Sequence, residues 1–156
     1  MRLVSESPGA TREIGVRLGR QAQRGDVVAL YGDLGVGKTC LIQGFAVGLG
    51  VEAPVTSPTF ILIAEHRGRL PLYHVDLYRT EHLDEVRALG LDELIDGDGV
   101  TVIEWGDKAE PLLPRRCIRV RIHGVGDERR QIELEGLPSD WRILNSCPSP
   151  VSPRRD

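Results

Sequence analysis

Aromatic residues make up only 4% of this 156-residue chain, and cysteine occurs three times. Cys40, Cys117 and Cys147 cannot all pair with one another, and no two of them show Cys-x-x-Cys spacing. Neither a disulfide framework nor a structural zinc site is expected. No apolar run approaches the roughly 20 residues of a membrane span. The opening residues Met1-Arg2-Leu3-Val4-Ser5-Glu6 carry no apolar stretch of signal-peptide kind, so the expected location is the cytoplasm. An excess of basic charge is also missing: the net charge is −3 and the pI about 5.8. Tight independent binding to nucleic acid needs a dense basic footprint that this balance does not supply. If the chain works on RNA, a partner is expected to hold the RNA.

What is present is an ordinary globular balance, with 40% hydrophobic and 28% charged residues. The length suits one core. Residues 1–144 read as a single domain, and the proline-rich stretch 145–156 reads as a disordered tail with almost nothing to bury.

Ser7-Pro8 reads as an N-cap followed by proline at the first helical position. Ile14, Leu18 and Ala22 then recur at helical spacing, which predicts a helix running up to Gly25. The apolar run Val27–Tyr31 predicts a buried parallel strand. A glycine-rich loop follows, then a helix from Lys38 to Leu49, stopped by Gly50. Pro54 and Pro58 predict a loop over 51–58. Phe60–His66 and Leu70–Leu77 predict a hairpin around Gly68. Leu83–Leu89 and Leu91–Ile95 predict short helices, and Val100–Trp105 a strand. Cys117–Ile122 and Gln131–Glu135 alternate in polarity and predict a C-terminal antiparallel hairpin. The expected fold is therefore α/β, with a mixed, partly parallel sheet.

Gly32-Asp-Leu-Gly-Val-Gly-Lys-Thr39 fits the P-loop pattern in full, with a strand entering and a helix leaving. Glycines let such a loop wrap phosphate with backbone N–H groups pointing inward, and the helix N-terminus adds a favourable dipole. The candidate phosphate-binding residues are Asp33, Gly35, Val36, Gly37, Lys38, Thr39 and Cys40. Lys38 is expected to reach the β- and γ-phosphates, and the Thr39 hydroxyl to ligate Mg²⁺. Asp76 and Glu104 close apolar strands, as carboxylates near a metal at the carboxyl edge of a sheet would. The sequence leaves open which of them binds metal and which orients water. No Asn-Lys-x-Asp run for guanine is present, and Asp107-Lys108 is only a fragment of it, so the expected nucleotide is ATP.

Four motifs, in order and spacing, resemble the bacterial TsaE (formerly YjeE) family of tRNA threonylcarbamoyladenosine biosynthesis ATPases. They are the P-loop, Ser57-Pro-Thr-Phe60, His74-Val-Asp-Leu-Tyr-Arg79 and Ile103-Glu-Trp105. The resemblance spans about residues 5–137. Cys40 departs from the family's usual second threonine, and Gly106-Asp107 departs from its usual proline or serine followed by an acid. The resemblance implies an α/β P-loop fold and ATP hydrolysis in support of a TsaD–TsaB complex. That complex transfers threonylcarbamoyl to adenosine in tRNAs that read codons starting with A, so tRNA is met only indirectly. It also implies that Thr39, Asp76 and Glu104 lie at the Mg²⁺ and water site, with Thr11 and Arg130 near the nucleotide. Read on their own, Thr11 is equally a surface helix residue and Arg130 an exposed strand residue.

Ser57–Phe60 occupies the place of a switch segment that senses γ-phosphate. Thr59 reads either as a Mg²⁺ or phosphate contact or as part of a simple turn. Trp105 reads as core packing or as a base or partner contact, with core packing favoured. His74 shares a strand face with Asp76 and reads as a satisfied structural histidine ahead of a tuning role. Two other functions compete with the ATPase: a small-molecule kinase, which would need an arginine-rich lid and an acceptor pocket, and a nucleotide-gated binding module.

Overall fold

Val27–Tyr31 carries no polar alternation, and it forms the strand β2 at the centre of a seven-stranded sheet. The computed structural model describes residues 1–33, 35, 37–55, 62–124 and 127–143. In chain order the elements are β1 (Arg2–Ser5), α1 (Pro8–Gln21), β2, α2 (Lys38–Gly48), β3 (Ile63–Arg67), β4 (Pro71–Asp76), α3 (Leu83–Ala88), α4 (Leu91–Ile95), β5 (Val100–Glu104), a 3-10 helix (Gly106–Leu112), β6 (Ile118–Gly124) and β7 (Arg130–Glu135). The strand order is β1-β7-β6-β2-β5-β4-β3. The four strands β6, β2, β5 and β4 are parallel, with antiparallel pairs on both flanks. The expected mixed sheet and C-terminal hairpin are both present.

Helices cover both faces of the parallel centre, which is why β2 and β5 carry apolar side chains on both sides. Val28, Leu30, Leu72 and Val102 pack with α1 and α2. Val27, Ala29, Val75 and Ile103 pack with α3, α4 and the 3-10 helix. The parallel registers Asp76↔Glu104 and Leu30↔Glu104 bring the carboxyl ends of β4, β5 and β2 to one edge.

The α1–α2 contact is a backbone contact. A Cβ on Gly15 would overlap the Leu41 carbonyl oxygen, and one on Gly19 the Phe45 carbonyl oxygen. Gly44 and Gly48 of α2 meet the Arg12 and Val16 carbonyls of α1 in the same way. The partners advance together along both helices, so the two run side by side in the same direction. Gly in a helix interior costs about 1 kcal/mol relative to Ala. Here it lets two backbones touch.

Three expectations need correcting. α1 stops at Gln21, before Gly25, because Ala22 turns extended (ψ 139°). Gly25 instead has φ +86° and donates its N–H to the Gly99 carbonyl at 2.9 Å, leading the chain into β2. β1 was not expected: only Leu3 and Ser5 face inward, too little for a periodic signal, and its pairing with β7 is non-local. The 3-10 helix was likewise not expected, because Pro111 lies inside it. The first residues of the expected Phe60–His66 strand and the tail 145–156 lie outside the described residues.

Gly19→Ala is expected to destabilise the protein by about 1–3 kcal/mol, lowering the melting temperature by several degrees. Gly9→Ala is the control: the nearest atom to its added Cβ would be Ser7 Oγ, at 3.8 Å. It should leave stability unchanged or raise it by up to about 1 kcal/mol. Thermal unfolding of both variants checks the contrast.

Candidate functional site

The site is built where the carboxyl ends of β2, β4 and β5 meet the start of α2. Gly37 is the N-cap of α2, in the left-handed region at φ +107°, and no side chain caps it. The first turn of α2 holds no acidic residue. A helix start without a side-chain cap presents backbone N–H groups and positive dipole to an anion. Gly35, exposed and at φ +79°, needs the same glycine freedom. Asp33 is exposed, and Thr39 and Cys40 are half-buried. Cys40 Sγ donates to the Pro8 carbonyl at 3.0 Å. Val36 and the segment Ser57–Phe60, including Thr59, lie outside the described residues.

Lys38 opens α2 and is buried, at 4% exposure. Its Nζ donates to the Gly32 carbonyl at 2.5 Å. It also lies 3.5 Å from the centroid of the Trp105 ring, a cation–π contact. Burial pulls the Lys38 ammonium below its usual range, and Glu104, Asp76, Asp107 and Asp33 act to restore it. Burial pushes the Asp76 carboxyl above the usual carboxylate range, with a further push from Glu104. The Tyr78 backbone N–H, donating to Asp76 Oδ1 at 3.0 Å, opposes the rise, as do His74 and Lys38. One cation and a set of carboxylates thus share this edge. The donor set suits a phosphate chain and a hard divalent cation: backbone N–H groups, an ammonium, a hydroxyl and two carboxylates.

Glu104 is 3% exposed, and its Oε2 lies 2.8 Å from His74 Nε2. With the carboxylate oxygen as acceptor, Nε2 is the donor of this pair. His74 is fully buried, and its Nδ1 has no hydrogen-bond partner among the described residues. Of the two readings of His74, structural and tuning, the described residues supply a hydrogen bond at Nε2. It is a partner of the candidate catalytic carboxylate.

Thr11 is buried, with Oγ1 2.6 Å from Ser5 Oγ and 3.3 Å from the Ser7 carbonyl. Its methyl lies 3.9 Å from where a Cβ on Gly37 would stand. It is not a surface helix residue but sits beside the glycine-rich loop. Arg130 opens β7 opposite Ser5, and its Nη1 donates to the carbonyls of Asp127 and Arg129 at 3.2 and 2.9 Å. Those bonds hold its guanidinium against the backbone of the β6–β7 turn.

Trp105 was expected chiefly as core. It is half-buried, adopts φ +61° and lies 5.3 Å from the Tyr78 ring, centroid to centroid. Positive φ in a tryptophan is a strained backbone, of the kind that clusters at functional sites. Lys108 was read only as part of a failed guanine motif. Its Nζ donates to the Tyr78 and Thr80 carbonyls at 2.7 Å each, tying the 3-10 helix to the exit of β4. The adjacency of Asp-Leu-Tyr-Arg and Glu-Trp in neighbouring strands was the signal available for both contacts.

A family model described as threonylcarbamoyl adenosine biosynthesis protein TsaE matches residues 5–132. The chain belongs to the TsaE family. It is 42% identical over 134 residues to the tRNA threonylcarbamoyladenosine biosynthesis protein TsaE of Treponema pallidum, covering 86% of this chain and 99% of that one. With the TsaE protein of Bacillus subtilis the identity is 42% over 139 residues, covering 88% and 87%. The crystal structure of YdiB from Bacillus subtilis superposes with a TM-score of 0.70 at 38% identity, covering 85% of this chain and 82% of that one. Among the described residues no helix is long and apolar enough to cross a membrane.

His74→Leu removes the partner of a buried Glu104 and is expected to cost about 1–3 kcal/mol of stability. Glu104→Gln keeps a hydrogen-bonding side chain there and should cost less. Urea unfolding of the two variants, compared at one pH, measures the difference.

Proposed function

We propose that this TsaE-family chain is a P-loop ATPase that hydrolyses Mg²⁺-bound ATP in the service of tRNA threonylcarbamoyladenosine biosynthesis, acting with TsaD- and TsaB-type partners in the cytoplasm. The observation that carries the ATPase reading is the buried Lys38. Its ammonium stands among Asp76, Glu104, Asp107 and Asp33, at the start of a helix with no side-chain cap. A buried cation so placed serves an incoming polyanion better than it serves the core.

Residue roles follow from position. Gly35, Gly37, Thr39 and Cys40 present backbone toward phosphate, with Asp33 at the rim of the loop. Lys38 leaves the Gly32 carbonyl to balance phosphate charge. Thr39 supplies a hydroxyl and Asp76 a carboxylate to the metal. Glu104 orients the attacking water, with His74 fixing its rotamer through Oε2. Thr11 and Arg130 border the nucleotide. The bound metal supplies charge stabilisation for phosphoryl transfer. Water is the proposed acceptor. The net charge of −3 leaves the grip on tRNA chiefly to the partners.

Lys38→Ala should lose nucleotide binding or hydrolysis while keeping its fold. Asp76→Ala and Glu104→Ala should lose about 100-fold or more in turnover and much less in ADP affinity. Steady-state kinetics beside calorimetric ADP titration separates rate from binding. Reconstitution with the threonylcarbamoyl-adenylate synthase, TsaD and TsaB, tRNA, threonine, bicarbonate and ATP tests the role. Multiple-turnover product should require the chain, and the Glu104→Ala form should not replace it. Full multiple-turnover modification without the chain would refute the role, and wild-type turnover in a folded Lys38→Ala form would refute the ATPase.

A further inference from the structure

Tyr31 ends β2 and packs with the apolar cluster of Val27 and Ala29, on the face of the sheet that carries the 3-10 helix. Its hydroxyl donates to Glu110 Oε2. The other carboxylate oxygen, Oε1, accepts from Arg119 Nε at 3.0 Å and Nη2 at 2.7 Å. One carboxylate on the 3-10 helix is thus shared between β2 and β6. The Arg121 guanidinium carbon lies 5.0 Å from the centroid of the Tyr31 ring. Burial, and after it the bond to Glu110, push the Tyr31 hydroxyl up, which keeps it a protonated donor. The same bond is the chief reason that the Glu110 carboxyl stays below its usual range. A lone exposed ion pair is worth little. A carboxylate shared between a phenol and a guanidinium is a charge-assisted network.

The Tyr31 ring adjoins both supports of the Lys38 ammonium. One support is the carbonyl of Gly32, next in the chain, which accepts Lys38 Nζ at 2.5 Å. The other is the Trp105 ring, with its centroid 3.5 Å from Nζ. Gly106 follows Trp105 and is seated on Tyr31. A Cβ on Gly106 would stand 2.9 Å from Ala29 Cβ and 3.1 Å from Tyr31 Cζ, so no side chain fits between them. Trp105 is the N-cap of the 3-10 helix, and its carbonyl accepts the Lys108 N–H at 3.0 Å. A tryptophan at φ +61° persists only where its surroundings over-determine it. Two of those constraints end on Tyr31: the Gly106 seat, and the Glu110 bond from further along the same helix.

We propose that Tyr31, clamped by Glu110, is a positioning residue for Lys38, setting the spacing between the Gly32 carbonyl and the Trp105 ring. The inference rests on the proposed function only for what the ammonium serves. Without the hydroxyl bond the 3-10 helix loses its tie to β2, and Trp105 is free to relax from positive φ and leave the ammonium.

The test uses the full chain carrying Trp141→Phe, which leaves Trp105 as its one tryptophan. Emission and near-ultraviolet circular dichroism then report on Trp105 without nucleotide. Lys38→Met takes the ammonium off the ring and gives the reference change. Tyr31→Phe should reproduce most of that change. Added to Lys38→Met it should add little, because both variants act on one contact. Glu110→Gln, at the exposed end of the network, should act in the same direction and decides the matter if Tyr31→Phe does not fold. Calorimetric titration should show ADP affinity about tenfold weaker in Tyr31→Phe, on the order of one charge-assisted hydrogen bond. The inference is overturned by Trp105 signals that Lys38→Met or the clamp variants leave unaltered, by a clamp effect equal with and without Lys38, or by unweakened ADP affinity in Tyr31→Phe. If the unsubstituted chain binds no ADP, the ATPase reading fails and the Trp105 signals alone decide this one.

Discussion

The structure depends on two helices whose backbones touch. Gly15 and Gly19 of α1 and Gly44 and Gly48 of α2 remove the side chains that would otherwise keep the helices about 8–10 Å apart. With those side chains gone, α2 is pinned against α1 along its length, and its first residues are brought to Thr11. The glycine-rich loop is the connection between β2 and α2. Fixing β2 in the sheet and α2 against α1 therefore fixes both ends of the loop. Ser5, Thr11 and Ser7, in hydrogen-bond contact with one another, brace the neighbouring turn. A loop built on glycines has no rigidity of its own. Its shape comes from these anchors.

Sheet register does for the carboxylates what the glycines do for the loop. Asp76, Glu104 and Leu30 are aligned by parallel pairing of three strands. Period-two alternation sends His74, Asp76 and Glu104 to the face that α2 covers. Lys38 enters from that helix. Residues far apart in the chain therefore converge because each closes or opens a regular element, and none depends on a loop conformation. His74 follows from the same geometry. It stands two residues before Asp76 and pairs in register with Val102, two residues before Glu104. That diagonal leaves its ring facing the Glu104 carboxylate.

How much of this was legible depended on whether the signal was local. The buried strand Val27–Tyr31, the N-cap Ser7, which accepts the Ala10 N–H at 3.1 Å, and the hairpin of β6 and β7 each announce themselves within a few residues. The motif Gly32–Thr39 and the strand-end acids Asp76 and Glu104 were equally plain. β1 was hidden because its partner β7 lies at the other end of the chain. The end of α1 was misplaced because Gly25 looks like a helix stop, whereas it serves the approach to Gly99. The glycines of α1 and α2 read as weak helix formers until the neighbouring backbone is seen. The His74–Glu104 bond and the Lys38–Trp105 contact were illegible for the same reason. Each is set by which strand lies beside which, and sequence spacing does not encode that order.

The balance of charge at the site explains why the proposed chemistry needs a divalent cation. Lys38 stands within a group that includes Asp76, Glu104, Asp107 and Asp33. The cluster already leans negative, and the raised Asp76 carboxyl is one consequence, since burial and Glu104 both disfavour its charge. A triphosphate would bring further negative charge against these carboxylates. The α2 N-terminus contributes only about half a positive charge. Lys38 and the helix together therefore cannot balance both the phosphates and the acids. Asp76 would hold a hard dication under the proposed reading, and that positive charge would offset the repulsion between the acids and the phosphates. Glu104 is held by His74 at Oε2, which fixes the carboxylate beside Asp76 and Lys38. The same excess of carboxylate would make nucleotide binding conditional on the metal.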